Sequence, residues 1–296
     1  MYTIAKGDIQ PMKIAWIGTG IMGYEMVSHL CDAHYNVSVY NRTLSKSERL
    51  KDKATVCTSI KEVVKDADVI FSIVSLVEDV KDIYLKDGIL DHAKKGAICV
   101  DMTTSSPSLA QQLHLLGLKQ NIQVCDAPVS GGDVGAKNAS LTIMFGGSKA
   151  AYDSVLPLLQ LMGKTITYVG KAGLGQHMKL ANQVAVANNL LGAIEALSYA
   201  KHVGIDQTMC VDVLSGGAAA SWQLKVNGPL MINHNFKPGF MNLHFIKDLK
   251  LVLEEADKNN HSLFMVKKIL DMYLAHDEEE FLTQSTVAIY KDYITS

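Results

Sequence analysis

Short apolar runs alternate with longer amphipathic segments over the first half of the chain. The amphipathic segments are predicted to be helices, including 59–66, 77–85, 107–118 and 149–161. The apolar runs are predicted to be strands at 13–17, 36–40, near 54–57, 68–74, 97–101 and 122–126, followed by 141–145 and 165–169. This alternation is typical of a doubly wound sheet with parallel strands. We expect the last two strands to add an antiparallel edge.

The pattern changes at Gly173. Residues 176–203 form one long helical pattern without proline, and the remainder of the chain is mostly helical, with glycine- or proline-bearing turns. We therefore predict an α/β domain over residues 1–172 and an all-α domain over 173–296. The helical domain begins with a long interdomain helix.

Composition narrows the class of protein. The 296 residues are 48% hydrophobic and 20% charged, which is typical of a globular protein. A net charge of −2 gives no basic field for nucleic acid or anionic lipid. No apolar run approaches the ~20 residues that span a bilayer. We therefore expect a cytoplasmic protein with neither nucleic-acid nor membrane partners, and residues 1–11 are interpreted as a short extension.

Cysteine and histidine spacing gives no indication of a metal or a disulfide. The five cysteines are odd in number and include no C-x-x-C pair, so buried reduced thiols are expected. No histidine spacing suggests a metal, and the acidic run Asp277-Glu278-Glu279-Glu280 is interpreted as a solvated helix start. We predict no metal site.

A glycine-rich segment, Gly18-Thr19-Gly20-Ile21-Met22-Gly23, lies between the first predicted strand and a helical segment. In this strand–loop–helix context the G-x-G-x-x-G pattern predicts a Rossmann-type dinucleotide site. The first glycine permits the tight turn, the second the approach of backbone to pyrophosphate, and the third close packing of helix on strand. The residues predicted to contact the cofactor here are Gly18, Gly20, Ile21, Met22 and Gly23.

The end of the second predicted strand indicates which dinucleotide binds. NAD sites usually carry Asp or Glu there, but this chain has Asn41-Arg42-Thr43. A guanidinium pairs with a 2′-phosphate that a carboxylate would repel. We predict NADP(H), with these three residues forming the phosphate pocket. The alternative is that Arg42 is a solvated surface residue.

A polar face is predicted at the start of the long helix. Gly175, Lys179 and Asn182 fall at i, i+4 and i+7 and share one side of a helix. A lysine on a helix is usually solvated, but Lys179 has no carboxylate at i±4 and lies in a small, apolar stretch. We therefore interpret it as part of a site.

Four motifs in order resemble the β-hydroxyacid dehydrogenases, a family that includes 3-hydroxyisobutyrate dehydrogenases, tartronate semialdehyde reductases and glyoxylate/succinic semialdehyde reductases. They are the glycine loop, Asp126-Ala127-Pro128-Val129-Ser130-Gly131-Gly132, Gly175-x-x-x-Lys179-x-x-Asn182, and Phe240 followed by Lys247-Asp248-Leu249. The resemblance extends from about Met12 to the C-terminus. The chain departs from many members at Gln183, where a second Asn is usual, and at Arg42, where NAD-dependent members carry an acid.

The resemblance implies catalytic and substrate-binding roles. Lys179 matches the family's general acid/base, and Asn182 matches the residue that orients the substrate hydroxyl or carbonyl. Ser130, Gly131 and Gly132 match the segment that binds the substrate carboxylate; on its own this segment reads as a plain turn.

The resemblance also implies further cofactor contacts. Thr104 matches a loop position near the nicotinamide, with Thr103 and Ser105 as close alternatives, and Val74 is assigned to the cofactor as well. Lys247 matches a lysine of the second domain that closes over cofactor and substrate. Without the resemblance, Lys247-Asp248 reads as a solvated surface pair.

The sequence thus predicts an NADP(H)-dependent oxidoreductase that interconverts a small β-hydroxy acid and its semialdehyde or keto acid. Three alternatives stay open: an NAD(P)-dependent 3-hydroxyisobutyrate dehydrogenase, an imine reductase, and a catalytically silent NADP-binding module. Imine reductases generally lack the lysine, and a silent module has no need of Lys179, Asn182 and Ser130. The resemblance implies that the helical domain closes over the substrate and forms the oligomer contacts, and it favours a homodimer or homotetramer.

Overall fold

A computed structural model describes residues 12–294 of the chain, so the predicted N-terminal extension lies outside the described residues. The chain forms two compact units that divide between Lys179 and Leu180. This division falls inside one long helix, Leu174–His202. The boundary predicted at 172/173 lies just before that helix.

The first unit is built on a nine-stranded sheet over the described residues. Its strands follow one another as β3-β2-β1-β4-β5-β6-β8-β7, with β9 paired to β8. The first six take the order of a Rossmann fold. The strands are β1 Lys13–Ile17, β2 Asn36–Tyr40, β3 Thr55–Val56, β4 Val69–Ser72, β5 Ile98–Asp101, β6 Gln123–Asp126, β7 Val129–Ser130, β8 Leu141–Gly146 and β9 Gly163–Gly170.

The predicted sheet is confirmed, including its antiparallel edge. Strand β8 runs antiparallel to β6 and β7, as expected for an antiparallel edge. Strand β9 pairs with β8 in parallel, so both strands run opposite to β1–β6 and the expected antiparallel edge is present. A helix, α8, connects β8 to β9, and a crossover of this kind returns the chain in the parallel direction. The two-residue strand β7 is too short for a periodicity to reveal.

Helices cover both faces of this sheet. The helices that begin in the first unit are α1 Ile21–Asp32, α2 Leu44–Glu48, α3 Ile60–Val64, α4 Val77–Leu85, α5 Ile89–His92, α6 Pro107–Lys119, α7 Gly132–Lys137, α8 Lys149–Leu159 and α9 Leu174–His202. Successive side chains of a strand point to opposite faces. Accordingly Trp16 and Phe71 pack in one buried cluster, while their neighbours Ala15 and Ile70 pack in another. Burial on both faces explains why the strands read as continuous apolar runs.

The second unit is helical, as predicted. Beyond α9 it contains α10 Gln207–Ser215, a π-helix Gln223–Asn227, α11 Gly228–Ile232, α12 Asn242–Lys258, α13 Phe264–Leu274, α14 Glu279–Thr283, a 3₁₀ helix Thr286–Tyr290 and α15 Lys291–Ile294. Its core includes an edge-to-face pair of Phe245 and Tyr273, 5.1 Å between ring centroids. Within residues 12–294, no helix is long and apolar enough to cross a membrane.

Candidate active site

The three glycines of the loop after β1 have different steric surroundings. Gly18 has φ +97°, and an added Cβ would lie 2.0 Å from the carbonyl oxygen of Ile73. A Cβ on Gly23 would lie 2.0 Å from the carbonyl oxygen of Gly18. Around Gly20, by contrast, an added Cβ would meet no atom within 4 Å. Gly18 and Gly23 are therefore required by the fold itself, whereas Gly20 leaves an open space at the N-terminus of α1, which fits a pyrophosphate.

Asn41 connects the glycine loop to the end of β2. Its Oδ1 accepts a hydrogen bond from the backbone N–H of Thr19 at 3.0 Å, and its Nδ2 donates to the carbonyl oxygen of Thr43 at 3.0 Å. The carboxamide therefore shapes the cofactor loop, a role that the sequence did not indicate.

Arg42 is 82% exposed at its side chain and forms an ion pair with Asp79, 2.7 Å between Nη1 and Oδ1. The other oxygen of Asp79 accepts from the backbone N–H of Leu76 at 3.1 Å. Thr43, the third member of the predicted phosphate pocket, is exposed at the N-terminus of α2. The guanidinium is thus accessible to a ligand, but a carboxylate that was not anticipated already contacts it.

The loop after β5 is joined to the loop after β4. Thr103 Oγ1 accepts from the backbone N–H of Val74 at 2.9 Å and donates to Asp101 Oδ1 at 2.7 Å. Ser72 Oγ donates to the same carboxylate oxygen at 2.9 Å. These contacts bury Thr103, so its hydroxyl serves the loop's own structure.

Thr104 is the most accessible of the three residues considered for the nicotinamide. Thr103 and Ser105 are each 2% exposed, whereas Thr104 is partly exposed. The buried Ser105 Oγ makes no hydrogen bond to the described residues, while its backbone N–H donates to Gln176 Oε1 at 2.9 Å. The accessibility favours Thr104 over its two neighbours as a ligand contact.

Asp126, at the end of β6, holds the beginning of α9. Its Oδ1 accepts from the backbone N–H of Gly173 at 2.7 Å and its Oδ2 from that of Gln176 at 2.8 Å. Burial raises the pKa of Asp126 to about 7, although the two backbone N–H groups act in the opposite direction. An acidic side chain at this end of a helix also interacts favourably with the helix dipole.

Lys179 lies one turn further along α9 and is 7% exposed. The helix spans Leu174–His202, so the helical spacing assumed for Gly175, Lys179 and Asn182 is present. Burial makes the solvated-lysine alternative wrong. A lysine held in such surroundings is a common choice for proton transfer.

The segment proposed to bind a carboxylate has an unusual backbone. Ser130 ends β7 and is partly exposed. Gly131 and Gly132 follow with φ +129° and +63°, conformations that favour glycine. An added Cβ at Gly132 would meet no atom within 4 Å. A hydroxyl and two backbone N–H groups without side chains would give an anion close access, so this geometry is compatible with the predicted carboxylate site.

In the second unit, Asn182 begins a hydrogen-bonded chain. Its Nδ2 donates to Gln183 Oε1 at 2.8 Å, and Gln183 Nε2 donates to Asp248 Oδ2 at 2.6 Å. Lys247 Nζ lies 3.1 Å from Asp248 Oδ1, an ion pair without hydrogen-bond geometry. The side chains of Lys247 and Asp248 are 16% and 2% exposed, so the surface-pair alternative is wrong. Gln183, noted only as a departure from the family, fixes the carboxamide of Asn182.

The cysteines are a further set of potentially reactive side chains. Of the five cysteines, Cys57, Cys99 and Cys125 are buried, and all five are free thiols. Burial raises the pKa of Cys125 to about 12, so this thiol is unreactive at neutral pH. The residues that the sequence reasoning missed, Gln176 and Asp79 above all, could have been noticed only as polar residues inside or beside the motifs.

Comparison with known proteins covers nearly the whole chain. A family model for the NAD binding domain of 6-phosphogluconate dehydrogenase matches residues 13–170. A second model, described as NAD-binding of NADP-dependent 3-hydroxyisobutyrate dehydrogenase, matches residues 173–293. Together the two models span both units.

Individual relatives agree with these matches. An uncharacterized oxidoreductase of Bacillus subtilis is 41% identical over 283 residues, covering 94% of this chain and 97% of its own length. The 2-hydroxy-3-oxopropionate reductase of Escherichia coli is 38% identical over 250 residues, covering 83% and 84%. Among solved structures, the 3-hydroxyisobutyrate dehydrogenase of Mycobacterium tuberculosis with L-serine superposes with a TM-score of 0.87 at 26% identity, covering 96% of this chain and 99% of the other.

Proposed function

Because the chain belongs to the β-hydroxyacid dehydrogenase family, we propose that it is an NADP(H)-dependent oxidoreductase that interconverts a small β-hydroxy acid and its semialdehyde or keto acid. Its membership supports the coarser statement directly: a nicotinamide-dependent enzyme that acts on a CH–OH group. The observation that carries the proposal is Lys179, a lysine only 7% exposed, one turn after a helix start held by a buried carboxyl group.

The choice of NADP(H) rests on the end of β2. Asn41-Arg42-Thr43 contains no carboxylate, and the Arg42 side chain is exposed enough to meet a 2′-phosphate. The guanidinium would pair with the phosphate, and the Thr43 hydroxyl would donate to it. The open space beside Gly20 would admit the pyrophosphate against the N-terminus of α1. When bound, NADPH supplies the hydride that reduces the carbonyl carbon.

Lys179 supplies the proton. Its ammonium group would donate to the developing alkoxide oxygen during reduction, and its amine would accept that proton during oxidation. The Asn182 carboxamide, held by Gln183, would orient the same oxygen. A positioned acid of this kind contributes typically ~10²–10⁴-fold to a rate.

The substrate carboxylate would bind to Ser130, Gly131 and Gly132. The hydroxyl of Ser130 and the two glycine N–H groups would donate to the carboxylate oxygens. Recognition of the substrate would therefore require its carboxylate, and an aldehyde without one is expected to be a poor substrate. These three residues do not determine how long the carbon chain of the acid is, because that depends on other side chains of the pocket.

The test is NADPH oxidation with a panel of small aldehyde and keto acids: glyoxylate, succinic semialdehyde, tartronate semialdehyde and methylmalonate semialdehyde. Each is paired with the aldehyde that lacks its carboxylate. We expect one acid to be reduced with a kcat/KM at least ~100-fold above that of the matching aldehyde without a carboxylate. A ratio of this size corresponds to the loss of about two charge-assisted hydrogen bonds. Ser130→Ala should narrow this ratio, because it removes a donor to the carboxylate.

The alternatives give different results in the same assay. Turnover with NAD(H) and not NADP(H) would identify an NAD-dependent dehydrogenase. Reduction of cyclic imines without reduction of any acid would identify an imine reductase. NADPH binding without turnover of either class would identify a silent module and would contradict the proposal.

A further inference from the structure

Gln176 binds the backbone on both sides of Thr104. Its Oε1 accepts from the backbone N–H of Ser105 at 2.9 Å, and its Nε2 donates to the carbonyl oxygen of Thr103 at 2.7 Å. The side chain thus acts as a substitute peptide group that pairs with this loop as a neighbouring strand would. Gln176 is fully buried, and both polar atoms of its carboxamide are engaged in these two bonds.

The backbone of Gln176 is held as firmly as its side chain. Its N–H donates to Asp126 Oδ2 at 2.8 Å, and the other oxygen of the same carboxyl group accepts from Gly173. The first turn of α9 therefore cannot rotate about the helix axis without breaking these bonds. Lys179 follows Gln176 by three residues, so its position on the helix is set by the same contacts.

The loop after β5, which Gln176 binds, is also held by the buried hydroxyl group of Thr103. Thr103 connects Val74 to Asp101 through its hydroxyl, so the loops after β4 and β5 form one hydrogen-bonded unit. Gln176 connects this unit to α9 through its two side-chain hydrogen bonds. Every member of the network lies within the first unit of the structure.

We propose that Gln176 is a positioning residue that holds the loop around Thr104 at a fixed distance from Lys179, so that the hydride and the proton arrive at one substrate carbonyl. This inference rests on the proposed function, since it assigns Thr104 to the nicotinamide side and Lys179 to proton transfer. Gln176 itself does not contact the substrate. A misplacement of reacting groups by about 1 Å costs on the order of 100-fold in rate, so loss of the two hydrogen bonds from Gln176 to the loop should have a measurable effect on kcat.

Two substitutions separate positioning from simple stability. Gln176→Met keeps the size of the side chain and removes both hydrogen bonds. In Gln176→Glu, one oxygen still accepts from Ser105, but the other faces the Thr103 carbonyl and pairs with it only when protonated. Burial raises the pKa of a carboxylic acid, so this variant regains its second bond as the pH falls. Gln112→Met and Gln112→Glu, at an exposed position of α6, are the matched controls.

For Gln176→Met we expect kcat to fall about 10- to 100-fold with NADPH affinity and KM within about threefold of the parent. For Gln176→Glu, the kcat relative to the parent at each pH should rise as the pH is lowered, by up to about tenfold per unit above the pKa of the new acid. A flat ratio for the glutamate variant, or a methionine variant with kcat within twofold of the parent, would overturn the proposal. So would a fall in NADPH affinity that equals the fall in kcat.

Hydrogen exchange provides a readout that does not require turnover. In the parent, NADPH should protect both the peptide over 102–109 and the peptide over 173–180; in Gln176→Met, protection of 173–180 should be lost while that of 102–109 is kept. Equal protection of 173–180 by NADPH in the parent and in Gln176→Met would contradict the proposal that Gln176 couples the loop to α9. If the parent itself reduces no acid, the proposed function fails in the parent assay, whereas failure of the positioning role appears only in the Gln176 variants.

Discussion

The guanidinium of Arg42 lies 2.7 Å from the carboxylate of Asp79, and the two partners differ sharply in exposure, 82% against 15%. An exposed ion pair of this kind contributes at most about 1 kcal/mol, so a 2′-phosphate can compete for the guanidinium. Arg42→Asp should lower the affinity for NADP⁺ about 10- to 100-fold and leave that for NAD⁺ equal or higher, because a charge-assisted pair becomes a repulsion. Isothermal titration calorimetry with NADP⁺ and with NAD⁺ measures the change. Lys61→Asp, at an exposed position of α3, makes the same charge change away from the loop.

Asp79 is expected to act against the phosphate. Asp79→Asn removes the negative charge beside Arg42 while an amide oxygen remains to accept from Leu76. The preference for NADP⁺ over NAD⁺ should therefore rise, by up to about fivefold for a pair worth under ~1 kcal/mol. The ratio of the two dissociation constants checks this. A lowered preference would mean instead that Asp79 aligns Arg42 for the phosphate.

Gly20 and Gly23 should respond differently to alanine. Gly20→Ala adds a methyl group into open space, so we expect the free energy of unfolding to change by less than about 1 kcal/mol while the affinity for NADPH falls at least about tenfold. Gly23→Ala forces a Cβ against the Gly18 carbonyl and should destabilise the fold by about 1–3 kcal/mol or more. Urea unfolding and NADPH titration of both variants give the two numbers. Equal loss of stability in both would refute the separate roles.

Lys179→Met should abolish proton transfer without removing the buried side-chain volume. The expected fall in kcat is about 10²–10⁴-fold, with NADPH affinity within about threefold of the parent. Lys201→Met, an exposed lysine on the same helix, should leave both quantities unchanged. Steady-state kinetics with the acid that the parent reduces is the measurement. A Lys179→Met enzyme with full kcat would exclude lysine acid/base chemistry.

The buried Asp126 predicts how stability changes with pH. Its pKa rises from 3.8 to about 7 on folding, so the folded state keeps the proton that the unfolded state releases above about pH 4. Its contribution to the free energy of unfolding is therefore fully present below pH ~4 and is lost as the pH rises towards 7, by an amount on the order of 4 kcal/mol at 1.36 kcal/mol per unit. Asp126→Asn should flatten this dependence in urea unfolding between pH 4.5 and 7. NMR titration of the carboxyl carbon checks the same point, and a midpoint below pH 5 would count against it.

Local patterns predicted the fold well, because they report burial along short stretches. The bounds of β1 and β2 match the predicted strands, and the added Cβ atoms that Gly18 and Gly23 could not accommodate agree with the tight turn and close packing predicted for them. Contacts between distant parts of the chain could not be predicted in the same way. Gln176 reaches residues 73 and 71 positions earlier, and Arg42 meets an acid 37 positions later. Such pairs depend on which loops the sheet order brings together, and neither composition nor periodicity carries that information.

The carboxyl group of Asp126 is enclosed by two glycines. A Cβ added at Gly146 would lie 2.7 Å from its Oδ1, and one added at Gly175 would lie 2.8 Å from its Oδ2. A Cβ at these positions would also meet backbone, 2.7 Å from the nitrogen of Gly175 for position 146 and 2.3 Å from the carbonyl oxygen of Met144 for position 175, so a smaller residue at 126 would not relieve either clash. Loss of the Asp126 carboxyl group would in turn leave the N–H groups of Gly173 and Gln176 without this acceptor. The entry of α9 is therefore intolerant of change at all three positions, at the two glycines for a steric reason and at Asp126 for a hydrogen-bonding one.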